Sequence, residues 1–397
     1  MHFDAPGGTQ IARESMAAIT DYLVMRNANH DGHFRASRES DAMVADTRAA
    51  LADFLGASRP EEICFGQNMT SLTLSLSRSI ARELAPGDEV VVTRLDHDAN
   101  VSPWLLAAKD RGAVVRWVDF DPRDCTWSAD ALAAQVTSRT KLVAVGLASN
   151  STGTINPVAE AARIAHEVGA WCVVDAVHYA PHGPIDAAAL GCDFLACSAY
   201  KFFGPHVGIL WGRYELLDRL SAYKVRPAGD APPHKWETGT QSFEGIAGVR
   251  GCLAYLEWLG RAYGAAGPVS RRPALRAAME CIRSYEAGLA RRMRDCLARV
   301  NGLCIRGILD DACMGQRVPT FSFTLAGRHP RDVCEGLDAA GIPAWDGHYY
   351  AVEVTRRLGL DAAGGMVRVG AAHYTTASEV DRLVAAIGEI ARGAIRP

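Results

Sequence analysis

No two cysteines in this chain are spaced C-x-x-C, and none stands at zinc-finger spacing from a histidine. The 11 cysteines are odd in number and scattered from Cys64 to Cys334. That pattern argues against a disulfide framework and a structural zinc site. It points to reduced thiols that act as small buried hydrophobes in a cytoplasmic protein. No apolar run is long enough to span a bilayer. The amino terminus, MHFDAPGGTQIARESM, lacks the basic stretch and long apolar core of a signal peptide. Charge of one sign is missing too: 42 basic residues face 45 acidic ones, for a net charge of −3. Nothing there argues for nucleic acid or an anionic membrane as a partner. The 12 histidines are dispersed, with no H-x-x-x-H helix and third ligand, so no metal is expected. A G-x-G-x-x-G after a first strand and a G-x-x-x-x-G-K-[ST] are both absent, which disfavours a nucleotide-binding fold.

What is present is ordinary in bulk and specific in order. The chain has 397 residues, 49% hydrophobic and 22% charged, enough for two domains and a large core. Short, β-rich, nearly continuous apolar runs at 88–96, 113–120, 141–149, 171–176 and 193–199 read as buried strands of a parallel sheet. Helical patterns at 128–136 and 157–169 lie between them, so the fold class is α/β. The run 207–212 follows a Gly-Pro turn too closely for a crossover helix and is expected to join antiparallel. Beyond about residue 245 the pattern changes. Residues 268–300 read as one long helical region, and strands are expected at 318–327 and 365–374. A last helix opens at Thr376, with Glu379 completing a capping box.

In open α/β sheets, ligands bind beyond the carboxyl ends of the strands. Here those ends are polar. They offer Asp96, His97, Asp98 and Asn100; Ser149, Asn150 and Thr152; Asp175 and His178; and Ser198, Tyr200 and Lys201. The stretch GQNMTSL adds Asn68, Met69, Thr70 and Ser71 at a helix start. Singly, each is commonly a cap, a turn residue or a satisfied structural group. Together they assemble a lysine in apolar surroundings, a carboxylate, an imidazole and a helix N-terminus suited to phosphate. Pyridoxal 5′-phosphate needs all four: an amine for its aldehyde, a carboxylate for its ring nitrogen, a stacking face and backbone donors for its phosphate.

The ordered motifs resemble class V aminotransferases of fold type I, the group of cysteine desulfurases, selenocysteine lyases and isopenicillin N epimerase-like enzymes. The resemblance runs from FDAPGGTQ to EVDRLV. It implies a large domain with a mainly parallel seven-stranded sheet and a smaller carboxy-terminal α+β domain. Its parts would be an N-terminal segment (1–20) packing with the small domain, a cofactor domain (21–245), and linking helices with the small domain (246–397). It also implies roles. In CSAYK, Lys201 would carry the cofactor as an aldimine, with Ser198 and Tyr200 at the phosphate. In VVDAVH, Asp175 would pair with the ring nitrogen and His178 would touch the phenolic oxygen. In LDHDANVSPW, His97 would stack on the ring. Asn150 would lie near the same oxygen and contact substrate, and Met69 and Thr70 would donate to the phosphate. In WETGTQS, Thr240 would reach the phosphate of a partner subunit, implying a homodimer with shared sites. In the carboxy-terminal box, Arg368 would clamp an amino-acid substrate's α-carboxylate.

One departure bears on the reaction. Desulfurases of this family carry a nucleophilic cysteine on a loop, often within R-x-G-H-H-C-A. The matching stretch here is AWDGHYYAVEV (344–354), with Trp345 at the arginine position and Tyr350 at the cysteine position. No cysteine follows Cys334. The favoured reading is a carbon–sulfur lyase. Lys201 would take the α-proton of cysteine or an S-substituted cysteine, and a quinonoid would expel the thiolate. Tyr350, or Tyr349, would be the acid for the leaving sulfur, and Trp345 and Tyr349 would line a pocket for a bulky conjugate. The alternatives are another reaction at the α-carbon (epimerisation, transamination or decarboxylation-linked deamination), a desulfurase with a different nucleophile, and a scaffold that has lost catalysis.

Overall fold

The computed structural model of the chain describes residues 1–264, 267 and 269–394. Seven strands form one sheet: β1 (Ile63–Gly66), β2 (Glu89–Thr93), β3 (Val114–Val118), β4 (Thr140–Gly146), β5 (Trp171–Asp175), β6 (Phe194–Ser198) and β7 (Gly208–Gly212). Their order is β1-β7-β6-β5-β4-β2-β3. The pairs from β6 through β3 are parallel, and β7 runs antiparallel to both β6 and β1. The antiparallel entry of 207–212 follows from its short connection, because a parallel return needs a crossover of a dozen or more residues.

The apolar runs are nearly continuous because both faces of the sheet are covered. Val91, Val143 and Val145 point into one core, and Val90, Val92, Leu142 and Ala144 into another. That is the two-residue alternation of a strand, with each face meeting its own layer of helices. The helix expected at 128–136 is shorter than predicted, Ala129–Ala133, while that at 157–169 spans Val158–Glu167.

A second sheet holds β8 (Leu303–Arg306), β9 (Thr320–Leu325), β10 (Trp345–Gly347) and β11 (Met366–Gly370), antiparallel in the order β10-β11-β9-β8. Its core joins Phe321, Phe323, Val367 and Val369 to Leu383 and Ile387 of the last helix, Ala377–Arg392. Thr376 and Glu379 cap that helix reciprocally. The long helix expected at 268–300 runs Arg271–Leu297, and Pro268 lies outside the described residues. One end of it (Ala278, Ile282) belongs to the large core and the other (Leu289, Met293, Leu297) to the small one.

Both boundaries drawn from sequence fall inside helices. Residue 20 lies within Arg13–Met25 and residue 245 within Phe243–Leu259, and these two helices pack on each other. A hydrogen-bonded helix is a continuous rod, so no linker stands at either point. The first residues lie against the second sheet: the Gly370 N–H donates to the Phe3 carbonyl at 2.7 Å.

The two sheets are joined by a buried arginine. Arg317 donates to the carbonyls of Ile308, Thr152 (3.1 Å) and Thr320 (2.6 Å), and its guanidinium lies over the Phe321 ring. Beside it, Gly153 takes φ +78°, and a Cβ there would meet the Thr320 carbonyl oxygen at 2.6 Å. Among the described residues, no helix is long and apolar enough to cross a membrane.

Candidate active site

The carboxyl ends of β2, β4, β5 and β6 open into one cavity of about 820 Å³. Every residue given a catalytic, cofactor or substrate role above lines it, with the exception of Thr240; of the other strand-end residues, Asn100, Ser149 and Thr152 do not. Thr240 is exposed on the turn before the helix Phe243–Leu259.

Lys201 follows β6 by three residues. Its Nζ donates to the carbonyls of Pro6 and Gly7, the latter at 2.8 Å. Burial strips water from the ammonium, and the positive Arg368 adds to the effect. Asp4 and Asp175 oppose it, and the balance lowers the lysine to about 7. A substantial share of its amine is therefore neutral near pH 7 and able to act as a nucleophile or base.

Asp175 closes β5 and accepts the Val177 N–H at 2.9 Å. Burial raises its carboxyl to about 6 against that bond and the Lys201 charge. His97 follows β2. Its Nδ1 accepts the Ala99 N–H at 3.0 Å, which places the proton on Nε2 of a neutral ring. Burial, with Lys201 and Arg368 nearby, lowers it to about 4. His178 is held at Nε2 by Thr320 Oγ1, 3.0 Å away, and burial keeps it uncharged.

A helix start forms another wall of the cavity. Asn68 caps the helix Met69–Ala81 by accepting the Ser71 N–H, while the Met69 N–H donates to Ser198 Oγ at 2.9 Å. The Thr70 N–H has no partner among the described residues. Gly208 on β7 admits this turn, because a Cβ there would lie 2.5 Å from the Asn68 carbonyl carbon. Tyr200 stacks on His206 at 4.7 Å beside it.

The opposite wall comes from the second sheet. Arg368 on β11 is buried, donates from Nη1 to the Asn150 carbonyl at 3.1 Å, and lies under the Tyr349 ring at 4.5 Å. Trp345 and Tyr350 sit at the mouth, 55% and 67% exposed. Tyr350 stacks on His97 at 5.5 Å, and its carbonyl accepts the Asp98 N–H at 2.7 Å. Tyr349 and Tyr350 take φ +51° and +62°, left-handed for two side-chain-bearing residues in a row. Asn150 Nδ2 pins the turn by donating to the Tyr349 carbonyl at 2.8 Å. The Tyr349 hydroxyl donates to the Met366 carbonyl and its ring is buried. Tyr349 is thus a wall of the pocket, and the acid role considered for it is withdrawn: its proton is committed, and burial raises its ionisation well above the usual range.

Sequence reasoning missed Asp4 and Gly7, which line the cavity from the amino terminus, and His206 behind Tyr200. No local pattern marks them. The place of Asp4 and Gly7 depends on contacts across almost 200 positions, as between Lys201 and Gly7.

Several groups in this cavity are unspent. Among the described residues, Asp175 faces it with no hydrogen-bonded cation, Asn150 Oδ1 is buried without a partner and the Thr70 N–H at the helix start has none, while burial lowers Lys201 to about 7. These are the groups that pyridoxal 5′-phosphate requires, so the residues fit it.

A sequence model of the family Aminotransferase class-V matches residues 1–383. The chain is 32% identical to the aminotransferase-like protein FGM3 of Gibberella zeae, over 97% of this chain and 93% of that one. It is 30% identical to a probable cysteine desulfurase of Mycolicibacterium paratuberculosis, covering 98% of this chain and spanning 55% of the relative's length. Among solved structures, the apo cysteine desulfurase of Thermococcus onnurineus superposes with a TM-score of 0.87 at 26% identity, over 99% and 95% of the two chains. The match across the chain, the shared fold and the unspent groups of the cavity lead to one conclusion: the chain belongs to the class V aminotransferases and is a pyridoxal phosphate-dependent enzyme.

Proposed function

We propose that the chain is a carbon–sulfur lyase that acts on cysteine or an S-substituted cysteine, releasing a thiol, pyruvate and ammonia. Two of the three similar proteins above are named cysteine desulfurases, which favours a sulfur amino acid. The observation that carries elimination, rather than transfer of sulfur to the protein, concerns the thiols. Among the described residues, no cysteine lines the cavity, and Tyr350 stands where the family's loop cysteine is expected.

Bound pyridoxal phosphate supplies an electron sink for charge that develops at the substrate α-carbon. The rest is done by the chain. Arg368 holds the α-carboxylate by its planar fork. Lys201, neutral near pH 7, accepts the α-proton. Asp175 carries the negative charge that keeps the ring nitrogen protonated, His97 covers one ring face, and the Met69–Ala81 helix start with Ser198 and Tyr200 holds the phosphate. Asn150 and His178 border the ring oxygen. Trp345 and Tyr350 receive the sulfur substituent, and the exposed Tyr350 hydroxyl protonates the departing thiolate. Thr240, on the surface, reaches the phosphate of a second copy in a homodimer.

A second reading, another reaction at the α-carbon such as amino transfer, is favoured by the name of the Gibberella relative. One experiment separates the two. The purified protein is titrated with cysteine and with an aryl S-conjugate while pyruvate, alanine and free thiol are assayed. Pyruvate and thiol in equal amounts support the lyase. Alanine from cysteine sinks it, and so does a spectral response with neither product.

A further inference from the structure

The amino-terminal strap touches both charged ends of the site. The Phe3 carbonyl accepts the Gly370 N–H, and Asp4 pairs in a bridge with Gly370, two residues beyond Arg368. The Gly7 and Gly8 N–H groups return to the Asp4 carbonyl at 3.0 and 3.2 Å, closing a turn whose next carbonyls, of Pro6 and Gly7, accept the Lys201 ammonium protons. Thr9 then binds the Tyr200 carbonyl and the Phe203 N–H.

Within this strap the Asp4 carboxylate lies 3.4 Å from Arg368 Nη2. Among the described residues it is the only carboxylate within ion-pair distance of that guanidinium. Arg368 needs an anion, because it is buried and a buried lone charge is costly. Yet the contact is long: charge-assisted hydrogen bonds of this kind close to about 2.7–2.9 Å. The Arg368 Nε is buried and makes no hydrogen bond among the described residues. The guanidinium is therefore partnered, but loosely, and its fork is not filled.

We propose that Asp4 is a stand-in for the substrate α-carboxylate. It balances and aims Arg368 in the free protein, and it gives way when a ligand carboxylate takes the fork. The proposal rests on the reading of Arg368 as the carboxylate clamp. One anion replaces another, so Arg368 is never left bare. An amine without a carboxylate leaves Asp4 in place. Asp4 thus acts as a specificity residue through Arg368, setting how strongly a ligand carboxylate is held without touching the reacting atoms.

The test uses the cofactor-free protein, with inorganic phosphate present to fill the phosphate end and propionate as the carboxylate probe, read by calorimetry. Asp4→Asn keeps the side-chain size and removes the competing charge, so propionate binds about tenfold more tightly than to the native protein. Asp4→Glu brings the carboxylate nearer the guanidinium, and propionate binds more weakly. Arg368→Lys loses most of the binding in every background. Equal or weaker binding by Asp4→Asn overturns the proposal. A variant that folds poorly weakens binding and cannot imitate the expected gain. Propionate has no sulfur and no α-amine, so the lyase reading can fail with this result intact. Equal propionate binding by native protein and Arg368→Lys removes the clamp, and the stand-in with it.

Discussion

On the floor of the cavity, Asp175, Lys201 and His97 stand at or just past the ends of three strands of one sheet. At the rim, Trp345, Tyr349 and Tyr350 hang from a short strand and a left-handed turn of another sheet. The floor is buried and its groups are electrically tuned: burial lowers the lysine and histidine and raises the aspartate. The rim is largely exposed and built of aromatic surface, with Tyr349 alone turned inward. The difference separates two tasks. Under the proposed function the floor would serve the chemistry common to any amino acid that enters, and the rim would meet what varies between them, the side chain.

That division is open to direct attack. Lys201→Ala should abolish lasting attachment of the cofactor and lower turnover by about a thousandfold or more, whatever the substrate, as seen in the visible spectrum and pyruvate release. Asp175→Asn removes the charge proposed to pair with the ring nitrogen and should lower turnover on the order of a hundredfold, again equally for cysteine and for a bulky conjugate. A strong substrate dependence in either variant would blur floor and rim.

At the rim the effects should be smaller and selective. Tyr350→Phe should slow release of an alkyl thiolate by about tenfold and of an aryl thiolate less, since a poorer leaving group gains more from a proton donor. Unchanged turnover with both removes the acid role. Tyr350→Ala should raise KM for an aryl conjugate about fivefold while leaving cysteine nearly unaffected, in line with aromatic contacts of about 1 kcal/mol. The smallest effect concerns pH. In the proposed role the neutral amine of Lys201 is the form that would attack the cofactor aldehyde, and its fraction grows as pH rises through about 7. Cofactor uptake by the free protein should therefore speed up about threefold between pH 6.5 and 7.5, then level off. A flat rate across that window would place the lysine elsewhere.

The same contrast governs how much could be read from sequence. Floor residues follow apolar strands whose continuous hydrophobic runs are plain, and each strand end marks its polar neighbours, as WCVVD marks Asp175. The rim has no such signal. β10 is three residues, Trp345–Gly347, with no alternation, and it exists because it pairs with β11. β8, LCIR, is only partly buried and shows no clear run. The left-handed pair Tyr349–Tyr350 contradicts local preference and is held by Asn150 and Asp98, far away in the chain. The Asp4 strap was illegible for the same reason.

The Arg317 clamp has a mechanical consequence. Its acceptors are three uncharged carbonyls contributed from both sides of the junction, so neither salt nor pH near neutrality can loosen it by removing a counter-ion. Burial lowers Arg317 only to about 9, so it stays cationic at pH 7. Of its three bonds only the one to Thr152 crosses to the first sheet's side, so prising the sheets apart would leave a buried cation one acceptor short, a cost set by desolvation rather than by a lost counter-ion.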